Sequence, residues 1–170
     1  GKGTIAKALA LKLNWNYLDS GLLYRCFAFL HNQDIENISE GFSRIEHTYD
    51  SASENIVFDG NDITSSIRGK ELTILSSQLS QKSEVREQLM QIQKQYRKMP
   101  GLVAEGRDMS SKLFPDSKVK IYLTADLSER VNRRANQLRN DGQKVNISEL
   151  KNEIELRDGR DLKRENSPLI

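Results

Sequence analysis

Apolar residues in this chain cluster in short runs that stop abruptly at polar or charged residues, and between the runs they recur at helical spacing. Trp15 to Leu18, Leu102 to Ala104 and Val119 to Thr124 read as strands. Ile5-Ala6-Lys7-Ala8-Leu9-Ala10-Leu11-Lys12-Leu13 has the composition of a buried helix, and helices from about Lys70 to Tyr96 end near Met99-Pro100-Gly101. Strands alternating with helices predict an α/β protein with a parallel sheet covered on both faces. From about Ile38 to Arg68 the rhythm breaks. Ile45 to Tyr49 and Asn55 to Phe58, followed by the turn Asp59-Gly60-Asn61-Asp62, read as a small antiparallel insertion. No internal repeat or low-complexity tract is visible.

With 170 residues, 36% hydrophobic and 29% charged, the chain can bury one sizeable core, and one domain plus an insertion is expected. Twenty-six basic against 24 acidic residues leave a net charge of +2, too balanced for a protein that coats a nucleic-acid polymer. Any basic site must be local. The single Cys26, inside an apolar stretch, reads as a small buried hydrophobe and not a nucleophile, so no disulfide framework is expected and a reducing cytoplasm fits. No apolar run approaches membrane length, no signal segment is visible, and nothing calls for more than a monomer without a membrane partner.

The opening Gly1-Lys2-Gly3-Thr4 feeds directly into the first helix. A helix N-terminus offers unpaired N–H groups and a partial positive charge, so a glycine-rich loop entering it can wrap nucleotide phosphates, with Lys2 against the terminal ones. The start lacks an initiator Met, the front of such a loop and the strand before it, and it reads as truncated. Ligands of open parallel sheets bind beyond the carboxyl ends of the strands, so Asp19-Ser20-Gly21, Glu105-Gly106-Arg107-Asp108 and Ala125-Asp126 are expected to converge near this loop.

Four further stretches carry candidate chemistry. Ser20 sits where a helix begins, and its hydroxyl with Tyr24 and Arg25, one turn later, could hold an anion; the alternative is a capping Ser with a partly buried Tyr and a surface Arg. Glu105 ends an apolar strand in the Walker-B manner, where a carboxylate holds Mg²⁺ directly or through water, and Arg107 supplies a planar fork for phosphate; the alternative is a strand-end turn with a surface ion pair. Arg130, Arg133 and Arg134 share one helix face without matching carboxylates, as arginines on a mobile segment would, with Arg139 to Lys144 as its tip; a solvated face is the alternative. Leu150, Ile154, Arg157, Asp161 and Arg164 form one stripe running from apolar to charged, either a helix leaving the core for a site or a surface Arg157–Asp161 pair.

Taken together, Gly1-Lys2-Gly3-Thr4, Leu18-Asp19-Ser20-Gly21-Leu22-Leu23-Tyr24-Arg25, Pro100-Gly101-Leu102-Val103-Ala104-Glu105-Gly106-Arg107-Asp108, Phe114-Pro115-Asp116 and Arg157-Asp158-Gly159-Arg160-Asp161 resemble the bacterial cytidylate kinases. Order and spacing hold over essentially the whole chain. Adenylate, guanylate and shikimate kinases share the loop but not the Asp-Ser-Gly and Gly-Arg-Asp segments in this form.

The resemblance implies a three-layer P-loop kinase fold with a core at 1–37 and 97–170, a lid at about 130–150, and a monophosphate-binding insertion at 38–96. It implies transfer of the ATP γ-phosphoryl group to CMP or dCMP with Mg²⁺. Gly1, Lys2, Gly3 and Thr4 would contact ATP; Ser20, Tyr24, Arg25 and Arg107 would hold the acceptor phosphate. Ser77, Arg86, Asp108 and Arg164 match positions that recognise cytosine, while Arg157 and Asp161 match those near the sugar. Lys2, Arg107, Arg130, Arg134 and Arg157 would stabilise the transferring group, and Arg133 lies on the lid side with Arg130 and Arg134. Glu105 is the metal candidate, directly or through water. Gly3 stands where the general loop pattern has Ser or Thr, so a metal role for Thr4 stays open. Met109 to Leu113 departs from the family's more usual Gly-Thr and valines, which allows a different path after Asp108. These 170 residues by themselves are expected to fold poorly or be inactive. Two other readings remain: another small-molecule P-loop kinase with a changed acceptor pocket, and a non-catalytic nucleotide- or RNA-binding module.

Overall fold

The computed structural model describes residues 1–140 and 142–162; within the last helix, the side chains of residues 157 and 160–162 are outside that description. The chain divides into two compact units, Gly1–Gly106 and Arg107–Ile170. In the first, α1 (Lys2–Leu13) leads into β1 (Asn16–Asp19) and α2 (Ser20–Asn32). A left-handed residue, Asn14, closes α1: its φ is 51°, a conformation that Asn tolerates better than most side chains. Then come α3 (Ile38–Ser43), the antiparallel β2 (Ile45–Tyr49), β3 (Glu54–Phe58) and β4 (Asn61–Asp62), followed by α4 (Thr64–Arg68), α5 (Lys70–Leu79) and α6 (Ser83–Lys94). β5 (Leu102–Glu105) returns to pair with β1 in parallel, with Asn16, Tyr17, Leu18 and Asp19 opposite Leu102, Val103, Ala104 and Glu105.

The hairpin turn forms as the Asp-Gly pair predicts. Asp59 and Gly60 both have positive φ, 49° and 78°, the pair of values that a two-residue turn needs to match strand twist. The hairpin is fastened to α2, since Phe58 meets Phe29 edge-on at 5.3 Å, while Arg44 lies over the Phe58 ring and pairs with Asp59. Helix α2 supplies much of the core through Leu22, Leu23, Cys26, Phe27, Ala28 and Leu30, and packs on α3, α4, α5, α6 and β5. Cys26 is 1% exposed and its thiol is pushed up to about 12 by burial, as expected of a packing residue. At the entry to the sheet the Asn16 amide donates to the carbonyls of Lys98, Met99 and Gly101, pinning the 98–101 loop around a cis Met99–Pro100 peptide. Gly101 lies against the Trp15 indole, where an added Cβ would stand 2.5 Å from a ring atom.

In the second unit a single π-helical turn (Met109–Leu113) precedes α7 (Leu127–Asn140) and α8 (Ile147–Leu162). Leu127, Val131, Ala135 and Leu138 recur along one side of α7 and pack with Val145, Leu150 and Ile154 as a small core. Asn146 caps α8, accepting from Ser148 and Glu149 N–H groups while its amide reaches the Glu149 carboxylate.

Two expectations fail here. Val119 to Thr124 forms no strand and stays exposed: it has no ladder partner among the described residues, and an extended segment without one leaves its N–H and C=O groups to water. Helix α1 is not buried all round: it packs on β1 and β5 and buries Ala10, whereas Ile5, Leu9, Leu11 and Leu13 remain exposed. An apolar composition indicates that a helix has sides to cover, and says nothing about how many of them are covered.

Candidate active site

Parallel pairing of β1 with β5 brings two acids side by side, Asp19 and Glu105, at the carboxyl ends of neighbouring strands. The amino end of α1 arrives at the same place. Gly3 approaches so closely that a Cβ there would lie 2.7 Å from Glu105 Oε1, so only glycine fits without moving the acid. Lys2 opens the helix one residue earlier and its charge acts on Glu105. Burial, and then the neighbouring charge of Asp19, raises the Glu105 carboxyl above its ordinary range; a hydrogen bond from the Tyr17 hydroxyl at 2.8 Å and the Lys2 charge work the other way. An acid so placed gains from an added cation. Mg²⁺ takes oxygen ligands and is commonly held by one or two carboxylates plus the substrate's own phosphates, and the strand-end pair offers that donor set. Among the described residues, no cluster of three or more His, Cys, Asp or Glu gathers to hold a metal by itself.

Asp19 has further duties. Its Oδ1 accepts the Leu22 N–H at 2.9 Å and caps α2, so the cap is Asp19, and Ser20 is the first helical residue, buried at 4% exposure. This corrects the reading of Ser20 as the capping residue: a strand ending at Asp19 leaves that residue with the extended φ and ψ that a cap requires. Asp19 Oδ2 also lies 3.9 Å from Arg25, whose Nε is buried without a hydrogen-bond partner. Tyr24 and Arg25 therefore share the first turns of α2 with Ser20, beside the strand ends.

Further along, Ser80 links Ser77 to Arg86 at the α5–α6 junction, donating to the Ser77 carbonyl while its own carbonyl accepts from Arg86. Arg107 opens the second unit, and Asp108 leads into the π turn, its carbonyl accepting from Lys112 and Leu113. The α7 arginines expected to lack matching carboxylates find polar partners, two of them acids. Arg130 binds Asp158 of α8 at 2.6 Å, Arg133 binds Glu129 at 3.1 Å and Arg134 donates to Gln137, because the α7–α8 hairpin and the helix's own i, i+4 rows bring partners that a single-face projection hides. Arg164 and the side chains of Arg157 and Asp161 lie outside the described residues.

In the insertion, His47 donates to Glu54 at 2.9 Å and Arg68 pairs with the same carboxylate. The His47 hydrogen bond, joined by the charges of His47 and Arg68, outweighs burial and holds the Glu54 carboxyl down at about 2 against an ordinary 4.5. The unfolded chain therefore takes up this proton first as pH falls, so stability drawn from the carboxylate is present above about 4.5 and fades toward about 2. Glu54→Gln is expected to cost about 1–3 kcal/mol at pH 7, with the gap to the parent closing over that acid range in denaturant titrations. A gap independent of pH would assign the loss to packing alone.

A glycine-fronted helix N-terminus bearing Lys2 and set against acid-tipped parallel strands, with Arg25 on the helix that follows β1, defines an α/β kinase of the P-loop class. Comparison with known proteins specifies it further. The family model of cytidylate kinase matches residues 1–170, and the chain belongs to that family. Among similar proteins, the cytidylate kinase of Stutzerimonas stutzeri (strain A1501) is 43% identical over 99% of this chain and 78% of its own length. That of Azotobacter vinelandii (strain DJ) is 41% identical over the same shares, and that of Shewanella baltica (strain OS155) is 39% identical over 100% of this chain and 78% of its own.

Of the groups that matter here, reasoning from sequence overlooked Tyr17 and placed Asp19 among the converging strand ends without giving it a part of its own. Asp19 had a signal, an acid placed directly before an apolar helical run. Tyr17 had none, since its partner stands 88 positions away.

Proposed function

We propose that the strand ends of β1 and β5 and the amino end of α1 form the phosphoryl-transfer site of this kinase, which transfers the γ-phosphoryl group of ATP to CMP or dCMP and yields ADP with CDP or dCDP. The observation that carries this reading is the meeting of Gly3 with Glu105, where helix N–H groups, a lysine and an acid face one small space. Gly1, Lys2, Gly3 and Thr4 hold the ATP phosphates through main-chain donors and the Lys2 ammonium. Ser20, Tyr24, Arg25 and Arg107 hold the acceptor phosphate. Ser77, Arg86, Asp108 and Arg164 read the base, and Arg157 and Asp161 bind the sugar.

Glu105, with Asp19 beside it, is the place for Mg²⁺, directly or through water, and Thr4 is a further candidate ligand. The bound ion supplies charge neutralisation on the phosphates. Lys2, Arg107, Arg130, Arg134 and Arg157 share that task, and no strong base is needed, because positioning and charge stabilisation carry most of the catalysis in this reaction class. For Arg130 this means exchanging Asp158 for phosphate. The insertion at 38–96 acts as the acceptor-binding part and 130–150 as the lid. All assigned residues come from one chain, which fits a monomer, and its small-molecule substrates fit the cytoplasm. Among the described residues no helix is long and apolar enough to cross a membrane.

Calorimetric titration of the full chain with CMP, UMP and AMP tests the reading. CMP is expected to bind at least about tenfold more tightly than either, since each base-reading group left unpaired costs about 1–3 kcal/mol. Equal affinity for all three, or faster ADP release with a different acceptor, would replace cytidylate by another substrate.

A further inference from the structure

Tyr17 lies in the middle of the site and is not used by the reading above. Its ring is buried, 6% exposed, and its hydroxyl donates to Glu105 Oε1 at 2.8 Å. That same oxygen is the one facing Gly3, so Glu105 is held between a donor on β1 and the open side of a glycine on α1. The ring does not stand alone either. It meets Tyr49 of the insertion edge-on, with centroids 5.2 Å apart and planes at 68°, and Tyr49 sits 5.4 Å from His47, the partner of Glu54. A glutamate side chain has three rotatable bonds and can turn its carboxylate in several directions. One hydrogen bond from a rigid, packed ring selects among them, and loss of that donor would leave a half-buried acid both mobile and short of a partner.

We propose that Tyr17 is a positioning residue of the phosphoryl-transfer site, its hydroxyl fixing the Glu105 carboxylate in the direction that the metal-bound phosphates require. The proposal rests on the assignment of Glu105 to that site. Tyr17 does not touch substrate; it acts through Glu105, and the Tyr49 contact keeps its ring from swinging away when the donor is engaged. Removing the hydroxyl while keeping the ring therefore separates direction from packing.

Three variants of the full chain, Tyr17→Phe, Glu105→Gln and the two combined, test this by steady-state kinetics and by calorimetry with a non-hydrolysable ATP analogue, with and without Mg²⁺. Tyr17→Phe is expected to lower kcat about tenfold with KM for CMP within about twofold, the pattern of an interaction made in the transition state. It should also weaken Mg²⁺-dependent binding of the analogue about fivefold and leave metal-free binding unchanged, a difference that a merely structural role would not produce. In the Glu105→Gln background Tyr17→Phe should change neither quantity further, because its only route is through that carboxylate. A Tyr17→Phe protein with unaltered kcat and metal-dependent binding, beside an impaired Glu105→Gln, would overturn the proposal alone. Additive losses in the double variant would overturn it as well. Full activity of Glu105→Gln would remove the underlying assignment together with the proposal.

Discussion

Lys2→Ala is expected to reduce turnover of CMP about a thousandfold at saturating ATP, with CMP affinity changed by less than about twofold. Lys2 is the first residue of α1, so its ammonium adds to the partial positive charge of the helix N-terminus. Its charge is already felt by Glu105, which places it within electrostatic reach of the acid assigned to the metal. Negative charge grows on the transferring group between β- and γ-phosphates, and a cation aimed there contributes most at the transition state. Arginine is not an equivalent replacement, since its fork is larger and rigid where a compact point charge must fit beside a main-chain cradle. A coupled ADP-release assay gives turnover, and CMP calorimetry gives the second quantity. Near-normal turnover in the alanine variant would move the ATP phosphates away from α1.

Arg25→Met is expected to raise KM for CMP about a hundredfold and leave KM for ATP within about threefold. Methionine keeps most of the apolar stem against α2's surroundings, so the change isolates the guanidinium. That group is 28% exposed, sits 3.9 Å from Asp19 Oδ2, beyond hydrogen-bond length, and keeps a buried Nε with no acceptor. A buried donor without a partner costs stability in the free protein, and an arriving phosphate that supplies the partner recovers that cost on binding. Asp19 holds the fork near the strand ends without consuming it. Equal increases in both KM values would show that Arg25 supports the whole site and not the acceptor.

Several pieces of this structure were legible along the chain because they depend on neighbours in sequence. The glycine-lysine opening, the Asp-Gly turn at 59–60, the apolar run closed by Glu105 and the burial of Cys26 all follow from local spacing, turn stereochemistry or composition. Where local reasoning went astray, a distant partner decided. Val119 to Thr124 has the residues of a strand, yet a strand exists only if a second one lines up beside it. Arg130 looked unmatched on α7 because Asp158 lies 28 positions on, in the other helix of the hairpin. Ser20 and Asp19 are both good capping residues, and the point where β1 leaves its ladder chose between them.

Taken by itself, the order of residues was enough to specify an α/β chain with an antiparallel insertion and membership of the cytidylate kinases, since motif order and periodicity are short-range properties that need no fold to be read. The register that sets Asp19 against Glu105, the hydroxyl of Tyr17 on that acid and the closeness of Gly3 to it were decided only by tertiary structure. They join segments on either side of a long crossover, and contacts across such a span are chosen by packing and sheet pairing, which leave no periodic trace in the sequence.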